Sequence, residues 1–152
     1  MLRSILAVVA TYIVMVVFII GTFMGLWFGM GPDRLLEPGS WKGNMFLCIA
    51  APAITVIGGL FGGWMCAKIG RVCKPVMVLA GVVLLLGAIS AYFTLQKPEP
   101  TGPREPGMTA MQTMEKGREP TWLAIFNPIG GAGAVLIGGL FMAGGGSSRK
   151  TS

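Results

Sequence analysis

Four stretches of this chain carry no charged residue: 5–30, 43–67, 75–96 and 121–148. A helix rises 1.5 Å per residue, so about 20 residues cross a hydrocarbon core of roughly 30 Å. Each stretch is long enough to do so. The alternation of apolar and polar positions that marks a barrel strand is absent. The pattern therefore predicts an all-α membrane protein: one four-helix transmembrane domain over 1–152, glycine-rich packing and no soluble domain. Its four transmembrane helices are expected at about 5–30, 43–67, 75–96 and 121–146. The segment 97–120, rich in Pro, Gly, Thr and charge, is expected as an exposed, partly extended loop, since proline biases its neighbours away from helix.

Composition agrees with lipid as the solvent. Hydrophobic residues make up 53% of the chain and charged ones 12%, about half the charged share of an average soluble domain. The first apolar run follows Arg3 directly but is far longer than the 7–15 residues of a signal-peptide core, so it is expected to be a retained span.

The net charge of +6 comes from residues beside the spans, where Lys and Arg set orientation and meet lipid headgroups. The bilayer is the implied partner, and nucleic acid is not. Four spans put both termini on one side with Arg3, Lys68, Arg71, Lys74, Arg149 and Lys150. Opposite them lie Arg34, Lys42, Lys97, Arg104, Lys116 and Arg118 with all the acids: Asp33, Glu37, Glu99, Glu105, Glu115 and Glu119. The density of basic residues in the short loop 68–74 places both termini in the cytoplasm. An even tally also permits insertion in both orientations.

Glycine is the most informative residue type. The chain has 24, many inside spans, where small residues four apart let helix backbones approach closely. Gly21, Gly25 and Gly29 form such a row in the first span. The second carries Ala51, Thr55, Gly59, Gly63 and Ala67, with Gly58 and Gly62 beside them, and the fourth has Gly130, Ala134 and Gly138. Matching these by depth predicts a central fourth span, with the first against its outer half and the second against its inner half.

Candidate chemistry is sparse. Histidine is absent, which removes the commonest transition-metal ligand. Cys48, Cys66 and Cys73 form no CxxC pair, and the first two read as small hydrophobic filler. Asn127 is the strongly polar intramembrane candidate; it suits a helix N-cap with Pro128 at the first helical position, and a transporter-like broken helix is the functional alternative. Met108, Met111 and Met114 at spacing three would converge on one face of a helical turn, a soft thioether set suited to Cu(I). No catalytic residue is assigned, no cofactor is called for, and the chain is read as a non-enzyme.

The residues at 62–71, Gly-Gly-Trp-Met-Cys-Ala-Lys-Ile-Gly-Arg, are similar to the loop motif of major facilitator transporters, with Ala67 where that family has Asp; the activity does not carry over. Over most of its length the chain resembles small four-span bacterial inner-membrane proteins of unassigned function. The opening Met-Leu-Arg-Ser-Ile-Leu-Ala-Val-Val-Ala, Pro38-Gly39-Ser40, Pro120-Thr121-Trp122 and Asn127-Pro128 carry that resemblance. It implies a bacterial inner membrane and no activity. The expected role is a structural or accessory subunit of a membrane complex, packing through glycine faces against itself or other subunits. An oligomeric small transporter or channel, or Cu(I) binding by the methionine loop, is the alternative.

Overall fold

The computed structural model describes residues 2–70, 74–98, 100, 102–104, 108–118 and 120–144. Every named element among them is a helix: α1 (Leu2–Met30), α2 (Pro32–Leu35), α3 (Met45–Gly70), α4 (Lys74–Gln96), α5 (Ala110–Lys116) and α6 (Thr121–Gly144). Four of these are long and apolar enough to cross a membrane, over Arg3–Met30, Met45–Gly70, Lys74–Gln96 and Thr121–Phe141. The expected all-α architecture with four such helices is what the chain adopts.

Each long helix begins and ends where local chemistry allows. Asn44 caps α3: its Oδ1 accepts the Leu47 N–H at 3.0 Å, satisfying one donor that the first turn leaves unpaired. The α3 helix runs through Lys68 to Gly70, so the basic connection expected at 68–74 is shorter than the charge pattern implied. Arg3 donates from Nε to the Ile69 carbonyl at 3.2 Å. That bond sets a cation at the negative end of the α3 dipole and ties the start of α1 to the end of α3.

The packing centres on α3 and α6. The α4 helix lies chiefly against α6, and α1 lies chiefly against α3. A core of Ala7, Met15, Cys66, Val76, Leu79, Ala80, Ala132 and Val135 joins all four. On α1 the inward stripe is Ala7, Thr11 and Met15, buried at four-residue intervals as helical periodicity requires. Most other large apolar side chains face outward: Ile5, Val17, Met77, Leu85, Leu140 and Phe141 are each at least 58% exposed. An outward apolar surface of this extent is what lipid requires and water disfavours.

At the cap, the end of the bundle where α3 and α6 begin, the described residues of 97–120, expected as an exposed, partly extended loop, are mostly exposed, include one short helix and pair with the first connection. A second cluster buries Trp27, Leu35, Leu36 and Leu47, with Phe23, Leu26 and Met30 against it. Within the segment, α5 forms because Thr109 and Gln112 make a reciprocal capping box, and Thr113 beneath it is fully buried. Lone bridges pair Leu36 with Gly43 and Lys42 with Arg118, weaving the first connection into the last.

Candidate functional site

Two arrangements stand out, one inside the bundle and one in the cap. Inside, α3 presents two glycine rows on adjacent faces. Gly58 and Gly62 face α1: a Cβ built on Gly58 would lie 3.1 Å from Ile19 Cγ1, and one on Gly62 2.9 Å from Met15 Sδ. Gly59 and Gly63 face α6. A Cβ on Gly59 would lie 2.7 Å from the Ala134 Cβ and 2.8 Å from the Gly131 carbonyl oxygen, and one on Gly63 would overlap the Val135 carbonyl oxygen. The approach is reciprocal, because a Cβ on Gly138 would overlap the Leu60 carbonyl oxygen. Main chain meets main chain along this seam, a separation that only small residues permit.

The structure thus joins the second-span residues Gly59 and Gly63 to Ala134 and Gly138 of the fourth. Gly130 is one position off the seam. A Cβ there would meet the Phe126 ring of its own helix, while Gly131 faces Thr55 and Val83. The first span is placed differently from the depth-matched expectation. Gly21, Gly25 and Gly29 are exposed with nothing within 4 Å of a built Cβ, and α1 rests on α3 rather than on the outer half of α6. Met15 and Ile19, on the stripe that continues to Thr11 and Ala7, fill the groove over Gly62 and Gly58, and the α1 glycines lie outside that stripe.

Asn127 is also relocated. The α6 helix starts at Thr121, with the Pro120 carbonyl accepting the Leu123 and Ala124 N–H groups, so Asn127 and Pro128 lie inside the helix and not at its cap. Burial of Leu123 and Ala124 in that first turn favours helix there. Asn127 instead faces α3, where its Oδ1 accepts from the Thr55 hydroxyl at 3.4 Å; that hydroxyl also lies 3.1 Å from the Ala51 carbonyl. Pro128 is accommodated by Gly87 of α4, whose built Cβ would lie 2.7 Å from the Pro128 Cβ. Gly87 and Gly131 carry no sequence expectation; glycine opposite proline in a neighbouring span is the available signal for the first.

In the cap, Arg118 is the organiser. Its guanidinium donates to the Thr94 carbonyl at 3.3 Å and to the Lys97 carbonyl, closing the end of α4. Its main chain bonds both ways to the first connection, N–H to Trp41 O and carbonyl to Gly43 N. Trp41 Nε1 donates to the Gly102 carbonyl at 3.0 Å, Lys116 Nζ stands 5.5 Å from the Trp41 ring centroid, and Arg104 pairs with Asp33. Beside this network opens a cleft of about 880 Å³, lined by Glu37, Trp41, Lys42, Arg118 and Trp122 among others.

The methionine set is only partly assembled. Met111 and Met114 share an exposed side of α5, whereas Met108 precedes the Thr109 cap and lies outside the helix. Cys66 is fully buried, and Cys48 is half-buried with its Sγ donating toward the Gly43 carbonyl at 3.8 Å. Cys73, Glu99, Glu105 and Glu119 lie outside the described residues.

Together these features define an all-helical chain with four helices long and apolar enough to cross a membrane, joined by a main-chain seam and closed at one end by an ordered cap. Compared with known proteins, the chain matches no family model, no curated sequence and no solved structure.

Proposed function

We propose that this chain is a small integral membrane protein acting as a structural or accessory subunit of a membrane complex. It spans a bacterial inner membrane four times with both termini in the cytoplasm. The observation that carries the reading is the unoccupied glycine row of α1. Gly21, Gly25 and Gly29 lie on the side opposite Trp27, exposed and with open space above each. Glycine within a helix sacrifices side-chain contacts and about 1 kcal/mol of propensity in water. On α3 that sacrifice is recovered as close approach to α1 and α6; on α1 the matching recovery needs a helix from a second chain.

The orientation rests on Lys68 and Lys74 flanking the shortest connection, together with Arg71. Single cysteines at Ser4 and Pro103, in a background without native cysteines, test it: an impermeant reagent added outside should label Pro103→Cys and spare Ser4→Cys. The reverse pattern would overturn the orientation, and equal labelling would establish dual insertion.

The subunit role is tested at Gly25. In the full chain purified in mild detergent, Gly25→Leu should not lower the thermal unfolding midpoint, because nothing in this chain occupies the space a side chain would fill. It should also abolish co-purification of the partner chain or of a second copy. Undiminished association would refute the reading.

A further inference from the structure

The cap cleft brings basic and aromatic side chains together at one end of the bundle. It lies where α3 and α6 begin, so it opens both to water and to the flank of the apolar helices. Met45, on that flank, is 79% exposed, and Trp122 is 53% exposed. Trp41 and Trp122 both line it, and tryptophan prefers the depth at which apolar chains give way to polar headgroups. Its volume of about 880 Å³ lies within the range of built small-molecule sites, roughly 300–1,000 Å³.

Charge decides what such a cleft holds. Lys42 and Arg118 line it and Lys116 stands over Trp41, against Glu37 as the carboxylate among the described lining residues. Arg118 spends its donors on the neutral Thr94 and Lys97 carbonyls, so no carboxylate among the described residues cancels its charge. The ammonium of Lys42 is exposed. Among the described lining residues, the cleft is thus cationic on its polar side and aromatic on its apolar side.

We propose that this cleft seats the headgroup of an anionic phospholipid. Its phosphodiester is drawn to Lys42 in the field of Arg118, its glycerol lies against Trp41 and Trp122, and its acyl chains leave past Met45 along α3 and α6. The proposal rests on insertion of the four helices into a bilayer, which resistance to alkaline extraction checks separately.

The test is native mass spectrometry of the full chain released from detergent and titrated with phosphatidylglycerol, phosphatidylcholine or soluble glycerol 1-phosphate. Phosphatidylglycerol is expected to fill one saturable site with about fivefold preference over phosphatidylcholine, the selectivity one basic residue supplies near a lipid surface. Lys42→Gln should erase that preference without moving the unfolding midpoint, since no hydrogen bond among the described residues uses its side chain, while Lys68→Gln at the other end of the bundle should preserve it. Adsorption of several lipids without preference, or a preference that survives Lys42→Gln, would overturn the proposal. So would glycerol 1-phosphate binding as tightly as the lipid, since that marks a soluble-anion site.

Discussion

Substituting Gly63 by alanine tests the α3–α6 seam at its tightest point. The added methyl would overlap the Val135 carbonyl oxygen and lie 2.8 Å from its carbon and 2.9 Å from the Gly139 nitrogen, where ordinary contact begins at 3.4 Å. All three atoms are main chain, so no rotamer change relieves the clash. The helices must separate, which loosens the Gly59–Ala134 and Gly138–Leu60 contacts on either side. Overpacking typically costs about 1–3 kcal/mol; the helix propensity gained in replacing glycine by alanine, up to about 1 kcal/mol in water, opposes it. The seam should lose about 1–2 kcal/mol net, roughly five- to thirtyfold in the folded-to-unfolded ratio. Reversible unfolding in mixed micelles of mild detergent and dodecyl sulfate measures this, with Gly25→Ala as the control that keeps the propensity gain and meets no neighbour. If Gly63→Ala is as stable as Gly25→Ala, the helices are not in main-chain contact and the packing account fails.

Other outcomes follow from single contacts. Arg118→Gln removes the charged bonds to Thr94 and Lys97, worth about 1.5–3 kcal/mol for a hydrogen bond to a charged group, and should raise the rate of proteolytic cleavage within 97–120 severalfold; an unchanged rate would show that the cap does not depend on this clasp. Asn127→Ala should cost about 0.6 kcal/mol, the average for a polar contact between membrane helices, read by the same micelle titration. Gly87→Leu should destabilise by more than 1 kcal/mol by driving α4 from Pro128, and Gly81→Leu, with open space at the same helix, should not.

How much the sequence disclosed differs from element to element. The long helices were legible because charge-free runs of that length have one economical fate in lipid. Depth and spacing pointed Gly59 and Gly63 toward the fourth long helix, and a Cβ built on either lies against α6. Gly25 gave the same local signal and lies elsewhere, because spacing shows that a backbone can be approached without saying by what. At Asn127-Pro128 local cap chemistry was outweighed by the apolar turn at Leu123 and Ala124, six residues of context that a two-residue motif cannot weigh. The cap was hidden because its order comes from pairings far apart in the chain, Trp41 with Gly102 and Arg118 with Thr94. Its one local signature is threonine followed three residues later by glutamine, the capping box of Thr109 and Gln112.

The placement of α6 bears on how the chain assembles. The helices that most need one another, α3 and α6, are separated by the whole of α4 and the cap segment, and α4 itself leans more on α6 than on its sequence neighbour α3. The atoms nearest a Cβ built on Gly59 or Gly63 all belong to α6, so without that helix this face of α3 is bare. Docking of α6 covers that face, and Arg118, just ahead of α6 in the chain, clasps the end of α4. A chain halted before residue 121 would therefore expose a small-residue groove that the finished protein keeps covered.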